Sequence, residues 1–447
     1  MKNIRKPLCA TALLAVFCAT GAGLRAQIVL KPHFTEFSRK IVVPKWAVIH
    51  PEIHEGMISI NASGILYVNA ANGEYVWGSA SPVNMPSNTA PVYFSGGASM
   101  SMESSPYGKK FKIVYPDGKF RELVGDYLRA SQFCEGYALV CKGNLMSAKQ
   151  IFIDKNGKEV FPALTSTVRG MSDDMVVRPL REGRRLYYNA ELNKYGYADE
   201  KGAIVIKSQF QDAHDFSEGL AAVMISKEGK GLWGFIDKTG KLVIPHTWPS
   251  PPGRFSEGLA VVRDGIEDGE THPTTLIDKT GRQVMEPQMW GINEFHEGFS
   301  WVATGCDKLF IMDRDFKEVK DMTEYFYYNG NGFGVCNFSL GGYGRKWGID
   351  FPQGRQSLHQ GGIEAGDIFA PDGQLLFNCL DGDGNDVALH SPTEGDLMFC
   401  KVRMKNQAQL PQESMTVDCF INLSGEIVYY FVEGTEGFEG KQPVQVK

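Results

Sequence analysis

Four glutamates could do acid–base chemistry, and each stands directly before a glycine: Glu135, Glu218, Glu257 and Glu297. Paired carboxylates are the usual general acids and bases. These four, however, recur with the same neighbours at a fixed interval. Catalysis needs a single asymmetric constellation, whereas a repeated acid is what a repeated turn demands. They are therefore expected to be structural, and the repeated Asp237 and Asp278 with them. A second acidic cluster, Asp381-Gly382-Asp383-Gly384-Asn385-Asp386, places acids at alternate positions as a calcium loop does. It has Asp386 where such a loop needs Gly at its sixth position, and Pro392 at the twelfth, so a solvated acidic loop is expected instead. The histidines, among them His214, His246, His272, His296, His359 and His390, are scattered. No H-E-x-x-H, G-x-S-x-G or phosphate-loop pattern accompanies them. No cofactor and no metal is expected.

The recurrence itself is the strongest feature. Trp233-Gly234-Phe235-Ile236-Asp237-Lys238-Thr239-Gly240 is followed by Phe255-Ser256-Glu257-Gly258-Leu259-Ala260. Both phrases return: Tyr195-Gly196-Tyr197-Ala198-Asp199 before Phe216-Ser217-Glu218-Gly219, and Leu276-Ile277-Asp278-Lys279-Thr280-Gly281 before Phe295-His296-Glu297-Gly298. Gly219, Gly258 and Gly298 set a period of about 40 residues. Weaker copies include Glu55-Gly56, Glu394-Gly395 and Glu439-Gly440, with Asp154-Lys155-Asn156-Gly157 and Asn422-Leu423-Ser424-Gly425 for the first phrase. In Asp-Lys-Thr-Gly the Asp side chain can accept backbone hydrogen bonds, and Gly can adopt positive φ, the chemistry of a short hairpin loop. The flanking runs Trp233–Asp237 and Lys241–Ile244 then read as strands, with Leu259–Val262 as a third. Gly234, between two large aromatics, admits another backbone close by. Phe255 reads as a core plug and Glu257-Gly258 as a turn.

The whole is an all-β tandem array of short antiparallel hairpin units, clearest over 194–302, with three evident strands per unit. One unit alone buries too little to be stable, so neighbours must stack. An open or spiral array is expected; closure into a β-propeller-like ring is the alternative. Much of the glycine excess, 50 residues in all, thus sits at two fixed places in each unit, one in the hairpin turn and one after Glu.

The Trp-Gly pair at Trp233-Gly234 and Trp347-Gly348, the Asp-Lys-Thr-Gly hairpin and the Phe-Ser-Glu-Gly-Leu-Ala phrase resemble the WG-repeat family. The resemblance covers most of residues 50–447, although Tyr195 replaces Trp in one unit. It implies a bacterial β-repeat scaffold and no particular chemistry.

Residues 1–26 read as a secretory signal peptide. Lys2, Arg5 and Lys6 precede an apolar stretch from Leu8 to Ala19, and Leu24-Arg25-Ala26 suits cleavage. The stretch is too short for a membrane-spanning helix. The mature array, 27–447, is expected to be exported, to the periplasm, the outer membrane surface or the medium. Losing Lys2, Arg5, Lys6 and Arg25 would take the net charge from −6 to −10. With that balance, and no basic cluster standing out, nucleic acid is not expected as a partner. Seven cysteines would remain, mostly as buried apolar residues; if any pair is bridged, Cys400 with Cys419 is the first candidate.

Function in repeat arrays sits in loops and departures from the repeat. The irregular Gly-rich insertion 339–367 carries Tyr343, Arg345, Trp347 and Arg355, a composition suited to binding a protein. The expectation is a non-enzymatic exported scaffold for protein or cell-envelope partners. A carbohydrate-binding envelope protein using exposed Trp and Tyr is the alternative, and a hydrolase on a propeller-like frame stands third.

Overall fold

The computed structural model describes residues 28–445 except 30–31, 46, 62–64, 79–93, 106–107, 145–147, 169–175, 266–272, 289, 305–307, 324–355, 360–365, 370–371, 374, 379–386, 390–396, 406, 411–413, 423 and 435–443. Its described secondary structure is strands plus one 3-10 turn at Pro162–Leu164. The strands form nine small sheets in chain order, spanning 48–78, 99–123, 127–168, 180–210, 212–248, 259–278, 290–321, 356–378 and 387–433. We number them 1 to 9.

Sheet 5 shows the unit. Asp212–Ala213, Leu220–Lys227, Lys230–Asp237 and Leu242–Trp248 lie side by side in that order, all antiparallel. The expected Asp-Lys-Thr-Gly hairpin joins the last two. Asp237 Oδ1 accepts from the Thr239 N–H at 2.9 Å, the Thr239 hydroxyl at 2.6 Å and the Lys241 N–H at 3.0 Å, and Gly240 sits at φ 88°. Asp278 repeats the arrangement, and the Thr280 hydroxyl leads in pulling its carboxyl down to about 2. Glu257-Gly258 is a two-residue turn with both residues at positive φ, 52° and 81°. Ser256 and Leu259 exchange hydrogen bonds across it, as in a type I′ hairpin.

Sheets of four strands replace the expected three per unit, and the added strand explains the difference. The last strand of sheet 4, Ile204–Phe210, is separated by Gln211 alone from Asp212–Ala213, the first strand of sheet 5. One continuous stretch therefore serves two sheets. Leu259–Arg263, the expected third strand, likewise pairs with Thr274–Asp278 of sheet 6 and not with sheet 5.

The Trp-Gly pair has a packing cause. Trp233 is buried and shares a core with Phe235, Phe255 and Ile277. A Cβ on Gly234 would lie 2.6 Å from the Ile244 carbonyl oxygen and 2.8 Å from the His246 nitrogen. The neighbouring strand bulges at this point, pairing Phe235 with Ile244 and then Trp233 with Trp248. Gly196 meets Ile206 and Ser208 in the same way.

Cores lie between successive sheets. Leu186, Tyr197, Phe216 and Ile236 join sheets 4 and 5, and Leu259, Leu276, Phe295 and Phe310 join 6 and 7. Sheet 9 then packs on sheet 1: Phe399, Phe420 and Phe431 share a core with Ile49, Ile58 and Val68. The contact repeats the rule used elsewhere. A Cβ on the turn glycine of one sheet would meet an aliphatic or aromatic side chain of the sheet before it, as Gly240 meets Ile206 and Gly281 meets Ile244. Gly73 of sheet 1 meets Tyr429 of sheet 9, whose hydroxyl donates to the Ala70 carbonyl at 2.9 Å. Of the two arrangements open to the array, these contacts select closure, a propeller-like ring. Terminal strands reinforce it, since Arg39–Val43 runs parallel to Ile427–Glu433 at the edge of sheet 9.

Cys400 and Cys419 do face each other, as register partners in the hairpin of sheet 9. They are not bridged. Both are buried, and the Cys419 thiol donates to the Cys400 carbonyl at 3.3 Å. Cys134 and Cys141 are not bridged either.

If the Gly234 contact sets the strand approach, Gly234→Ala should cost about 2–3 kcal/mol, in the range of an overpacked core. Gly258→Ala has no neighbour within 4 Å and strains only a backbone at φ 81°, so it should cost about 1 kcal/mol. Urea unfolding of the two variants compares them, and equal losses would discount the contact.

Candidate functional site

Every letter of the Phe-Ser-Glu-Gly phrase acts across a sheet boundary. Phe216, Phe255 and Phe295 plug the cores. The Ser217 hydroxyl donates to the Phe255 carbonyl and the Ser256 hydroxyl to the Phe295 carbonyl, each at 2.6 Å. Glu218 Oε2 accepts from the Gly258 N–H at 2.9 Å and pairs with Lys279 at 3.0 Å, both in the following sheet. Glu182 does the same with Gly219 at 3.0 Å and Lys238 at 2.9 Å, and Glu257 accepts from Gly298 at 3.0 Å. In sheet 1, Glu55 accepts from Gly97 at 2.8 Å. The turn acids thus form a relay along one rim, shown from sheet 1 to 2 and from sheet 4 through to 7. Burial pushes the Glu182 and Glu218 carboxyls up, but the lysine and the glycine N–H outweigh it and leave both below the ordinary range.

The relay changes character between sheets 3 and 4. Glu135 accepts from the Leu180 N–H at 2.9 Å instead of a turn glycine, and pairs with Arg185 at 2.9 Å. Arg185 stands two residues after its turn glycine. Other units place Ile58, Ala138, Ala221, Ala260 or Ser300 there, all buried. A buried arginine at this position is a departure from the repeat. Its guanidinium lies over the Tyr137 ring, 5.4 Å from the centroid, and donates to the Arg178 carbonyl. Arg178 and Arg181 flank it with exposed side chains. Among the described residues neither is in an ion pair within 4 Å.

Asp215, Cys134 and His214 complete the surroundings. Burial raises the Asp215 carboxyl, while Arg178, Arg181 and Arg185 pull it back. Cys134 is raised by burial and then by Glu135. His214 packs against Trp233 and is lowered by burial, which favours the neutral ring. Chemically the cluster offers two exposed guanidiniums beside a buried third, which donates to the Arg178 backbone. Guanidiniums match carboxylate or phosphate oxygens in a bidentate fork.

This cluster corrects one expectation. Arg178, Arg181, Arg184 and Arg185 lie within eight residues, a basic cluster that the acidic net charge of −6 conceals. Arg184 is committed elsewhere, donating through Nε to the Lys238 carbonyl at 3.1 Å. Glu182-Gly183 was also hidden, because Leu180 stands where the phrase has Phe. Local charge density and the turn spacing could have found both. Tyr343, Arg345, Trp347 and Arg355 lie outside the described residues, as do the acidic loop 381–386 and residues 1–26. Among the described residues no group of three His, Cys, Asp or Glu could hold a metal ion. No helix there is long and apolar enough to cross a membrane.

A ring of small antiparallel sheets joined by shared strands and turn acids defines a β-repeat protein. Residues 195–230 and 233–265 match the WG containing repeat, two adjacent copies, which agrees with the resemblance seen in the phrases. No curated protein matches the chain. Among solved structures, BamB from Moraxella catarrhalis is similar at 9% identity, covering 63% of this chain and 91% of its own, with a TM-score of 0.34. A eukaryotic initiation factor is similar at 11% identity over 89% of this chain and 90% of its own, TM-score 0.38. Kluyveromyces lactis Hsv2p is similar at 9% identity, over 61% and 94%, TM-score 0.27.

The relay makes stability depend on pH with a definite sign. Glu182 and Glu218 titrate lower folded than unfolded, so their contribution is full above the unfolded value of about 4.5 and fades as pH falls through the folded value. Glu218→Gln should lower stability near neutrality by about 1 kcal/mol and reduce the fall on acidification. Urea unfolding at pH 7 and pH 4 measures both; an unchanged pH slope would remove Glu218 from the relay.

Proposed function

We propose that the chain is a non-enzymatic, exported binding scaffold that engages an anionic segment of a protein or cell-envelope partner. The observation carrying this reading is the pair of exposed guanidiniums of Arg178 and Arg181, in no described ion pair, at the one described boundary where a buried Arg185 replaces an uncharged residue. The repeated glutamates support it differently: those of sheets 1, 3, 4, 5 and 6 hold neighbouring sheets together. The carbohydrate alternative loses two platforms, since Trp233 and Trp301 are buried. Export rests on the character of residues 1–26. The insertion bearing Tyr343, Arg345, Trp347 and Arg355 is a second surface within the same reading.

Affinity capture from intact cells with the mature chain tests the assignment. Arg178→Glu with Arg181→Glu should reduce capture of an acidic partner about tenfold or more, with salt weakening the wild type similarly. Both side chains are exposed, so thermal unfolding should move by no more than a few degrees. Deleting 339–355, which spares the strand Gln356–His359 of sheet 8, measures the second surface in parallel. Capture indifferent to the charge reversal would refute the arginine site.

A further inference from the structure

The chain closes three of its sheet edges with its own terminal strands. Ile28–Val29 runs parallel to Leu375–Asn378 on sheet 8, Arg39–Val43 to Ile427–Glu433 on sheet 9, and Val444–Gln445 to Lys119–Leu123 on sheet 2. Each addition is parallel, and each lies on the strand that follows the turn glycine. On sheet 9 the fit is detailed. The Ile427 N–H donates to the His33 carbonyl at 2.8 Å, the His33 N–H to the Gly425 carbonyl at 3.0 Å, and the Gly434 N–H to the Val43 carbonyl at 3.0 Å. Phe34 packs edge-on against Tyr430. Ile427, two residues after turn glycine Gly425, is 1% exposed.

Sheets 4 and 5 carry the same edge without a cover. Ile204 and Leu242 stand two residues after Gly202 and Gly240, where sheet 9 has Ile427. They are 40% and 45% exposed, and their neighbours Val205 and Val243 are 39% and 40% exposed. Ile204–Phe210 and Leu242–Trp248 are the terminal strands of their sheets, with no strand beyond them among the described residues. Pro245 and Lys207, further along, are the residues that discourage long pairing at an edge. The strands on sheets 2 and 8 show that a two-residue pairing is enough for this fold.

We propose that the edges at Ile204–Val205 and Leu242–Val243 each accept an extended, β-branched segment of a partner protein as an added parallel strand. The occupant is foreign because the described terminal strands of this chain are already seated on sheets 2, 8 and 9. Backbone hydrogen bonds would supply affinity, and the exposed aliphatic pair would select β-branched side chains. The proposal deepens the binding-scaffold reading and rests on it, but uses a surface separate from Arg178 and Arg181.

The probe is a labelled synthetic peptide of residues 33–45, His33 to Lys45, which carries the strand that sheet 9 accepts. Added to the full mature chain, it should bind saturably, and a photoreactive group at the position of Ile41 should cross-link to 203–206 and 241–244. Ile204→Ser with Leu242→Ser should weaken binding about tenfold while thermal unfolding stays nearly constant, and Arg178→Glu with Arg181→Glu should leave peptide binding unchanged. Absence of saturable binding, equal binding of a scrambled peptide, or cross-links confined to 426–433 would each overturn the proposal. So would a wild type that self-associates through these edges and becomes monomeric in the serine variant, since the occupant would then be a second copy. Peptide failure with arginine-dependent capture intact removes the edge site alone; loss of arginine dependence with peptide binding intact removes the anion site alone.

Discussion

The contact on which the ring depends is the seating of each turn glycine against the preceding sheet. Gly240 rests on Ile206, Gly281 on Ile244 and Gly73 on Tyr429. A side chain at any of these places would push two sheets apart, and the positive φ of each glycine independently excludes most residues. The close approach then brings the other turn of each sheet within reach of its neighbour. The carboxylates of Glu182 and Glu218 can therefore span to the N–H of Gly219 and Gly258. Packing thus comes first in the hierarchy, and the polar relay is its consequence. A surface ion pair such as Glu218–Lys279 contributes little alone, but its place in a repeated relay fixes the register between sheets.

This ordering explains why the repeat and the sheet do not coincide. The matched copies, 195–230 and 233–265, each begin in the third strand of one sheet and end in the next. A unit that straddles a boundary staples two sheets covalently. In a ring of sheets with two to five strands, such straddling prevents any sheet from leaving without breaking its neighbours.

Much of this was legible in the residues. The Asp-Lys-Thr-Gly hairpin, the Glu-Gly turn, the aromatic plugs and the close approach at Gly234 follow from turn chemistry and from the absence of a side chain, both local properties. The fourth strand was not, because Asp212–Ala213 is too short for any hydrophobic alternation. Closure was not either. It rests on sheet 9 packing against sheet 1, as where Tyr429 meets Gly73, a contact between distant parts of the chain that periodicity does not encode. The arginine site was obscured for a different reason: a net charge averages over the whole chain, whereas recognition responds to charge within about a Debye length. Cys400 and Cys419 take the expected role of buried apolar residues, in the register that a bridge would need but without one.

A repeat protein carries its specificity in what the repeat does not explain. Arg185 occupies a position that the described neighbours keep small, so its burial demands Glu135 and Tyr137 as partners, and Glu135 leaves the glycine relay to provide one. The departure is local, since the relay resumes at Glu182. At the edges the variation is of another kind: sheets 2, 8 and 9 carry a parallel cover, while sheets 4 and 5 keep an exposed aliphatic pair with no described strand on it. An exposed Leu242–Val243 at an uncovered edge invites aggregation, and nothing in the packing of sheet 5 requires it, since Ile244 supplies the buried contact. Both departures meet on sheet 4, with Arg181 at one edge and Ile204 at the other.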